Sequence, residues 1–309
     1  MVQFKSILCP VDFFKASSRA VDYSFKLAES YEARVHLIHV VAPAIAMPYG
    51  APIGSTDFTV DLEKESERLL RKLKDRGERA RIDVTTEVRL GDVDLGILHA
   101  VKAWKADLVV MGTHGRRGFE RLVLGSVTER MVRHCPVPLL TIGASGKTSS
   151  AGPKIRRILV TTDFSDGTAE AVGHALSIGQ RYRAKVTLLH VLHDAAVDAL
   201  FKYRDSLVLG IEAELQKLIP ERALDLCDVE TQVKDGVPGT VIPDLVKSGA
   251  FDLLVMNIHG KSLLDRALIG STAERTLRAA AGICPVLLIP PAKASRKSRK
   301  PLSPRRGPR

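Results

Sequence analysis

The chain has 309 residues, of which 45% are hydrophobic and 26% are charged, and its formal net charge at pH 7 is +11. This apolar content is typical of a globular protein and excludes an intrinsically disordered chain. No apolar run reaches the roughly 18 residues of a membrane span, and the N-terminus lacks a signal-peptide pattern. The four cysteines form no CxxC pair, which argues against a zinc site or a disulfide framework and favours a cytoplasmic protein.

Predicted strands and helices alternate along the first half of the chain. In chain order, apolar runs predict strands at 5–11, 34–41, 82–90, 107–111 and 137–142, and helical spacing predicts helices at 17–31, 57–79, 91–104 and 126–134. Prolines and glycines predict a loop at 42–56. Residues 157–289 repeat this order. Such alternation predicts an α/β fold in which helices cover both faces of a parallel sheet.

The two halves of the chain are diverged copies of each other. The segment from Asp107 to Ser126 matches the segment from Asp252 to Ser271, and each has an apolar strand, a glycine loop and a Gly-Ser pair at a helix start. Other matched segments are Val11-Asp12-Phe13 with Thr162-Asp163-Phe164 and Leu37-Ile38-His39-Val40 with Leu188-Leu189-His190-Val191. Because solenoid repeats have periods of only roughly 20–50 residues, this match indicates two homologous domains.

We place the first domain at 1–143 and the second at 155–291. The small residues of the segment 144–154 favour a flexible linker. Residues 292–309 carry eight Lys or Arg residues and no acid, and their prolines and charge predict a disordered tail. This basic tail is either a solubilising terminus or a loose contact for nucleic acid or an anionic surface.

The glycine loop of the first half has the residue types of an anion site. Gly112 and Gly115 would let the loop turn sharply and present its backbone amides. Gly125 allows close approach at a helix start, where Ser126 is the predicted N-cap. The amides that follow it, beginning with Val127, lack acceptors within the helix and suit a phosphate. Glycine turns and Gly-Ser caps also occur where no ligand binds, so the pattern alone leaves both interpretations open.

Two further positions fall at the carboxyl ends of strands, where open parallel sheets bind their ligands. The carboxylate of Asp12, after the first strand, can accept hydrogen bonds from sugar hydroxyls. The backbone of Val40, near the end of the second, can pair with the edge of a base. The matching positions of the second half, with those of its glycine loop, are Asp163, Val191, Gly260, Gly270, Ser271 and Thr272.

Together these motifs resemble those of the universal stress protein family, arranged in tandem. The family's ATP signature is Gly, two residues, Gly, nine residues, Gly and then Ser or Thr, and Gly112, Gly115, Gly125 and Ser126 satisfy it. The resemblance extends to Pro10, to the His-Val end of the second strand and to the final Pro-Val strand, and it covers nearly the whole chain except the basic tail.

The resemblance implies an adenine-nucleotide-binding fold and a ligand. Each half would be an open twisted sheet of five parallel strands in the order 3-2-1-4-5. ATP, with or without Mg²⁺, would contact the Asp12 carboxylate, the Val40 backbone and the glycine loop. The final strand often forms a dimer contact in the family, so the two halves of this chain would pair with each other, and a homodimer is a further expectation.

The second half departs from the signature. Asn257 replaces its first glycine, and Thr161 stands where the family has proline. Asparagine adopts a left-handed backbone more readily than most residues, so the turn can persist, but its side chain would crowd the path of the ribose and phosphates. We therefore expect the first half to be the better nucleotide site.

These features predict an ATP-binding stress-response protein that acts as a nucleotide-dependent sensor or regulator. Neither half shows a convincing nucleophile or general base, so we assign no catalytic residue. A nucleotide-free scaffold with a vestigial site is an alternative. An adenylating or slowly ATP-hydrolysing enzyme is a further one, although adenylating enzymes typically carry a Ser-Gly-Gly-type loop where this chain has Asp12-Phe13-Phe14-Lys15.

Overall fold

The computed structural model describes residues 2–42, 56–113, 124–144, 155–165, 167–193, 204–224, 226–258, 270–280 and 283–291. Several of the positions discussed above lie outside these ranges. They are Gly115, Gly260, nearly all of the loop 42–56, most of the linker 144–154 and the basic tail 292–309.

The first half contains the predicted alternation of strands and helices. Its elements are β1 (Ser6–Pro10), α1 (Lys15–Tyr31), β2 (Arg34–Val41), α2 (Thr56–Arg79), β3 (Val84–Leu90), α3 (Val93–Ala103), β4 (Leu108–Gly112), α4 (Ser126–His134) and β5 (Leu139–Ile142). The bounds of β2 and α4 are those that the sequence predicts.

The second half repeats this order. Its elements are β6 (Arg157–Thr162), α5 (Thr168–Tyr182), β7 (Lys185–Leu192), α6 (Arg204–Lys217), α7 (Glu221–Leu224), β8 (Val229–Asp235), α8 (Pro238–Lys247), β9 (Leu253–Asn257), α9 (Ser271–Ala280) and β10 (Val286–Ile289). The one-turn helix α7 has no counterpart in the described residues between α2 and β3, and the repeat does not predict it.

The strands form one ten-stranded sheet in the order β3-β2-β1-β4-β5-β10-β9-β6-β7-β8. Within each half the pairing is parallel and the order is 3-2-1-4-5, which confirms the predicted fold. The two five-stranded sheets are joined where β5 and β10 pair antiparallel, with Leu140 opposite Leu287. The halves therefore pair through their last strands, as the resemblance implies.

Both faces of this sheet are buried, which explains the continuous apolar runs of the central strands. Along β1, Ile7 belongs to the core on the side of α1, α2, α5 and α6, and Leu8 to the core on the side of α3, α4, α8 and α9. Each core contains residues of both halves. The two halves thus share their hydrophobic interior as well as their sheet.

The N-terminal segment adds a contact between the halves. The ring of Phe4 packs edge-on against Tyr31 of α1 at 5.2 Å and lies 6.0 Å from the ring of His174 in α5. The hydroxyl of Ser177, also in α5, donates to the carbonyl of Val2 at 2.6 Å. None of the helices in the described ranges is long and apolar enough to cross a membrane.

Candidate functional site

Strand β2 extends further than β1, so backbone groups near its carboxyl end lie beyond the last residue of β1. Strand β1 ends at Pro10, and the amide of Val11 makes its last bond to β2, to the carbonyl of Ile38 at 2.8 Å. Because successive residues of a strand face opposite sides, the amide and carbonyl of Val40 face the same side as those of Ile38. Strand β2 runs on to Val41, so these groups of Val40 lie beyond the end of β1.

Val40 itself is held firmly in place. Its side chain packs on Gly96 of α3, where an added Cβ would lie 3.1 and 3.2 Å from its two methyl groups. On the other side of β2, residue 40 is in register with Arg89 of β3. Val191 has the matching place on β7, beyond the last paired residue of β6, Thr162.

Asp12 follows the end of β1 in a tight turn. Its Oδ1 accepts a hydrogen bond from the amide of Phe14 at 3.0 Å, and its own amide donates to the hydroxyl of Ser17 at 3.3 Å. The second carboxylate oxygen has no hydrogen bond within the described ranges. In the second half, Oδ1 of Asp163 accepts from the amide of Ser165 at 3.0 Å. In both halves, therefore, Oδ1 of this carboxylate accepts from the backbone amide two residues later.

The residue after each aspartate has a left-handed backbone. Phe13 has φ 65° and Phe164 has φ 58°, and for a residue with a Cβ this region costs about 1–2 kcal/mol. Each ring lies on a histidine of the neighbouring strand, with centroids 4.7 Å apart for Phe13 and His39 and 4.8 Å for Phe164 and His190. Both residues recur in the two halves of the sequence, and this recurrence is the signal that could have found them.

Gly112 ends β4 against the first turn of α1. An added Cβ would lie 2.8 Å from the carbonyl carbon of Ala16 and from the amide nitrogen of Ser17. Its φ is not in the left-handed range. The predicted reason for this glycine, a sharp turn, is therefore wrong, because what the position requires is the close approach of strand and helix. Since Ser17 also bonds Asp12, the structure brings Asp12 and Gly112 together around one turn of helix.

The glycine loop of the first half is closed at its base. The amide of Thr113 donates to the carbonyl of Ile142 at 2.9 Å, and the amide of Gly125 donates to the carbonyl of Thr113 at 2.9 Å. The hydroxyl of Thr128 donates to the carbonyl of Gly112 at 3.0 Å. The start of α4 is therefore held against the carboxyl end of β4.

Gly125, not Ser126, is the N-cap of α4. The carbonyl of Gly125 accepts the first helical hydrogen bond, from the amide of Glu129 at 2.9 Å, and its backbone is extended. Ser126 is thus the first helical residue, which corrects the prediction. The amides of Ser126, Val127 and Thr128 form the first turn and have no acceptor inside the helix. They lie at the same edge of the sheet as Asp12 and Val40, because α4 runs antiparallel to the strands.

The second half closes its loop in the same way. The amide of Gly270 donates to the carbonyl of Ile258 at 3.1 Å, and the carbonyl of Gly270 accepts from Glu274 at 2.9 Å. Ser271 and Thr272 then begin α9. One difference is that the position of Thr128 is taken by Ala273, which has no hydroxyl to bond the strand end.

Asn257 ends β9 against the start of α5. Its side chain packs on Gly167, where an added Cβ would be 3.1 Å from the amide group. In the orientation that satisfies both neighbours, this amide donates to the carbonyl of Gly167 and accepts from the amide of Thr168, each at 3.1 Å. The backbone of Asn257 is extended rather than left-handed. The side chain therefore bonds the start of α5, and the expected crowding of a ligand stays a prediction.

No nucleophile is available among the described cysteines near the strands. All four are buried free thiols. Burial raises the pKa of Cys9 and Cys284 to about 12 and that of Cys135 to about 11, so these thiols stay protonated at neutral pH. Within the described ranges, no three His, Cys, Asp or Glu side chains come together to hold a metal ion.

Comparison with known proteins identifies relatives over most of the chain. The model of the Universal stress protein family matches residues 3–143 and again residues 154–290. A universal stress protein of Methanocaldococcus jannaschii is 35% identical over 139 residues, which are 43% of this chain and 80% of that protein. One of Mycolicibacterium smegmatis is 24% identical over 295 residues, which are 92% of this chain and 97% of that protein.

The same family occurs among solved structures. The crystal structure of a universal stress protein from Archaeoglobus fulgidus superposes with a TM-score of 0.67 at 20% identity, covering 93% of this chain and 96% of that one. That likeness shows a shared fold. With two matches of the family model in tandem, the chain belongs to the universal stress protein family.

Proposed function

We propose that this protein is an ATP-binding stress-response protein that acts as a nucleotide-dependent sensor or regulator. The observation that carries the proposal is the closed base of the glycine loop, which holds the first-turn amides of α4 at the edge where β1, β2 and β4 end. Backbone amides at a helix start bind phosphate. The second oxygen of Asp12 would accept from ribose hydroxyls, and the backbone of Val40 would meet the base.

We place the nucleotide chiefly in the first half. There the signature is intact, and the hydroxyl of Thr128 binds the carbonyl of Gly112, which keeps that carbonyl from pointing its negative end at a phosphate. Ala273 cannot do the same in the second half. Mg²⁺, where it accompanies ATP, would be held mainly by phosphate oxygens and water, as is usual for this ion.

The regulatory step would be a change in the loops that flank the ligand. The loop 42–56 follows β2 and the loop 113–124 follows β4, so both begin at the edge that carries Asp12 and Val40. Binding of ATP would shift these loops and alter the surface presented to partners. Hydrogen exchange measured with and without ATP tests this step, because protection confined to other regions would contradict it.

Release of bound nucleotide is the direct test of the ligand. Purified protein is denatured and the supernatant is analysed by mass spectrometry, and the stripped protein is then titrated with ATP by calorimetry. We expect adenine nucleotide and about one site per chain. A protein that neither releases nor binds nucleotide would support the scaffold alternative, and formation of acyl-adenylate or pyrophosphate would support the enzyme.

A matched pair of variants locates the site. Asp12→Asn keeps an oxygen for the amide of Phe14 but loses the charged second acceptor, and Asp163→Asn makes the same change in the second half. Because a hydrogen bond to a charged group is worth about 1.5–3 kcal/mol, we expect Asp12→Asn to weaken ATP binding roughly 10- to 100-fold. Asp163→Asn should leave the affinity unchanged. Equal losses in the two variants would contradict the preference for the first half.

A further inference from the structure

The turn after β1 is built around an aromatic residue in an unfavourable conformation. Phe13 has φ 65° and Phe164 has φ 58°, in the left-handed region that bulky residues avoid. A glycine would take this conformation without strain. Such backbone strain persists only where the surrounding structure enforces it, and it is concentrated at functional sites.

A histidine on the neighbouring strand enforces the turn. The ring of His39 lies against that of Phe13, and its Nδ1 is 2.6 Å from the carbonyl oxygen of Val11. Since a carbonyl only accepts, Nδ1 carries a proton and donates it. One side chain thus fixes the residue before Asp12 by a hydrogen bond and the residue after it by ring contact.

The second half repeats this arrangement with different neighbours. His190 lies against Phe164 at 4.8 Å, and its Nδ1 donates to the carbonyl of Thr162 at 2.9 Å. Here Thr162 stands in place of Val11 and Ser165 in place of Phe14. The phenylalanine, the histidine and the aspartate are the same in both halves. The shared geometry therefore accompanies these three residues although positions 11 and 14 differ from their counterparts 162 and 165.

The geometry determines where the carboxylate goes. The left-handed residue reverses the direction of the chain, so that the amide two residues after the aspartate reaches its carboxylate. Phe14 donates to Oδ1 of Asp12 and Ser165 donates to Oδ1 of Asp163, both at 3.0 Å. The hydrogen bond to Oδ1 restrains the rotation of the carboxyl group. In the first half its second oxygen has no hydrogen bond within the described ranges and is kept at the edge shared with Val40 and Gly112.

We infer that His39 and Phe13 are positioning residues, which fix the Asp12 carboxylate so that its second oxygen receives the ribose hydroxyls of the nucleotide. This inference rests on the proposed function. Neither residue needs to touch the ligand. Binding gains because the acceptor is already oriented before the ligand arrives, so that less rotational freedom is lost on association.

Two substitutions separate positioning from mere folding. Phe13→Gly removes the ring but relieves the strain, and His39→Phe keeps an aromatic contact but removes the hydrogen bond to Val11. We expect each to weaken ATP binding at least fivefold in calorimetric titration, while the melting temperature of Phe13→Gly changes little. Phe164→Gly and His190→Phe are the matched controls and should leave the affinity of the first half unchanged.

The link to Asp12 is tested by combining variants. If Phe13 acts through Asp12, then Phe13→Gly should cause no further loss of affinity in an Asp12→Asn background. Additive losses would overturn the inference while leaving the proposed function intact. If Asp12→Asn itself has no effect on ATP binding, the proposed function fails at that residue and the inference fails with it.

A measurement on nucleotide-free protein tests the positioning of Asp12 directly. The ¹³C chemical shift of the Asp12 carboxyl in nucleotide-free protein reports its hydrogen bonding directly. We expect the signal to move or broaden in Phe13→Gly and His39→Phe and to stay in place in the two second-half controls. An unchanged signal in both first-half variants would show that they do not position Asp12.

Discussion

His36 is a buried histidine on β2. The side chain is 2% exposed and stacks on the ring of Trp104 at 3.8 Å. Its Nδ1 lies 2.9 Å from the hydroxyl of Thr85 and its Nε2 lies 3.2 Å from Oε2 of Glu87. Burial lowers the pKa of His36, and the nearby carboxylate of Glu87 only partly opposes this effect.

This depressed pKa predicts a loss of stability in mild acid. Below pH 6.5 the unfolded chain binds a proton at His36 while the folded protein does not, until its lower pKa is reached. The free energy of unfolding should therefore fall as the pH drops through this range. Urea denaturation of the wild type and of His36→Gln at several pH values measures the effect.

Comparison with the variant isolates His36 from the other histidines. The wild type should lose more stability than His36→Gln as the pH falls below 6.5. Glu87 contributes in a different range, because hydrogen bonds from Arg89 and His36 outweigh its burial and hold its pKa below 4.5. A constant difference between the two proteins, or a wild type that gains stability in acid, would contradict the assignment.

At the scale of elements, the two halves differ in how a strand packs on a helix. In the contact between β4 and α1 the smaller residue is on the strand, and in the contact between β9 and α5 it is on the helix. In the first half glycine on the strand faces Ala16 on the helix, and in the second Asn257 on the strand faces Gly167. Helix α5 also begins two positions later than α1 in the alignment of the halves, at Thr168 rather than at the counterpart of Lys15. Asn257, the larger residue on the strand, is thus accommodated by the smaller Gly167 and by the later start of α5.

This exchange predicts unequal costs for the same small substitution. Gly112→Ala would place a Cβ 2.8 Å from backbone atoms of α1, and we expect it to lower the free energy of unfolding by about 1–3 kcal/mol. Gly167→Ala meets a side chain at 3.1 Å and should cost less. Chemical denaturation of both single variants measures the difference.

A double variant, Gly167→Ala with Asn257→Gly, tests whether Asn257 causes the cost of Gly167→Ala. The cost of Gly167→Ala should shrink when Asn257 is replaced by glycine, because the atoms that its methyl group meets are then gone. Strict additivity of the two changes would show that the contact between residues 167 and 257 does not determine the cost.

The elements themselves could be predicted because their signals are local. Residues 34–41 carry the apolar run of a buried strand and residues 126–134 the spacing of a helix, and both patterns depend only on neighbours in sequence. Errors arose where a distant bond decides the outcome. Gly125 rather than Ser126 caps α4, and the amide of Gly125 is bonded to the carbonyl of Thr113, twelve positions earlier.

The site could be predicted only in part for the same reason. Asp12, Val40 and Gly112 were found by their positions at strand ends, and the structure brings them to one edge. The purpose of Gly112 and the direction of Asn257 depend on a helix that is distant in sequence. The left-handed backbone of Phe13 could not be foreseen, because nothing local favours it in a bulky aromatic residue.

At the scale of the whole molecule, the two halves are expected to unfold together. They share the ten-stranded sheet and both hydrophobic cores. The chain has a single tryptophan, Trp104, in the first half, so its fluorescence reports on that half while far-ultraviolet circular dichroism reports on both. We expect the two signals to give coincident transitions in urea.

A substitution in the second half makes this test stricter. Leu188 of β7 is fully buried, and its replacement by alanine should cost about 2–5 kcal/mol. If the halves are coupled, Leu188→Ala shifts the Trp104 transition to lower urea by the same amount as the dichroism transition. A Trp104 transition that stays in place would show that the first half unfolds independently.

The junction between β5 and β10 also bears on how the two copies could diverge. Strand β5 already has neighbours on both sides, β4 and β10, so this dimer-type contact forms at any dilution and does not depend on protein concentration. In a symmetrical dimer of identical chains, every substitution appears at both sites at once. Here the exchange at residues 167 and 257 could arise on one side alone. One copy is therefore able to give up a ligand while it continues to complete the sheet of the other.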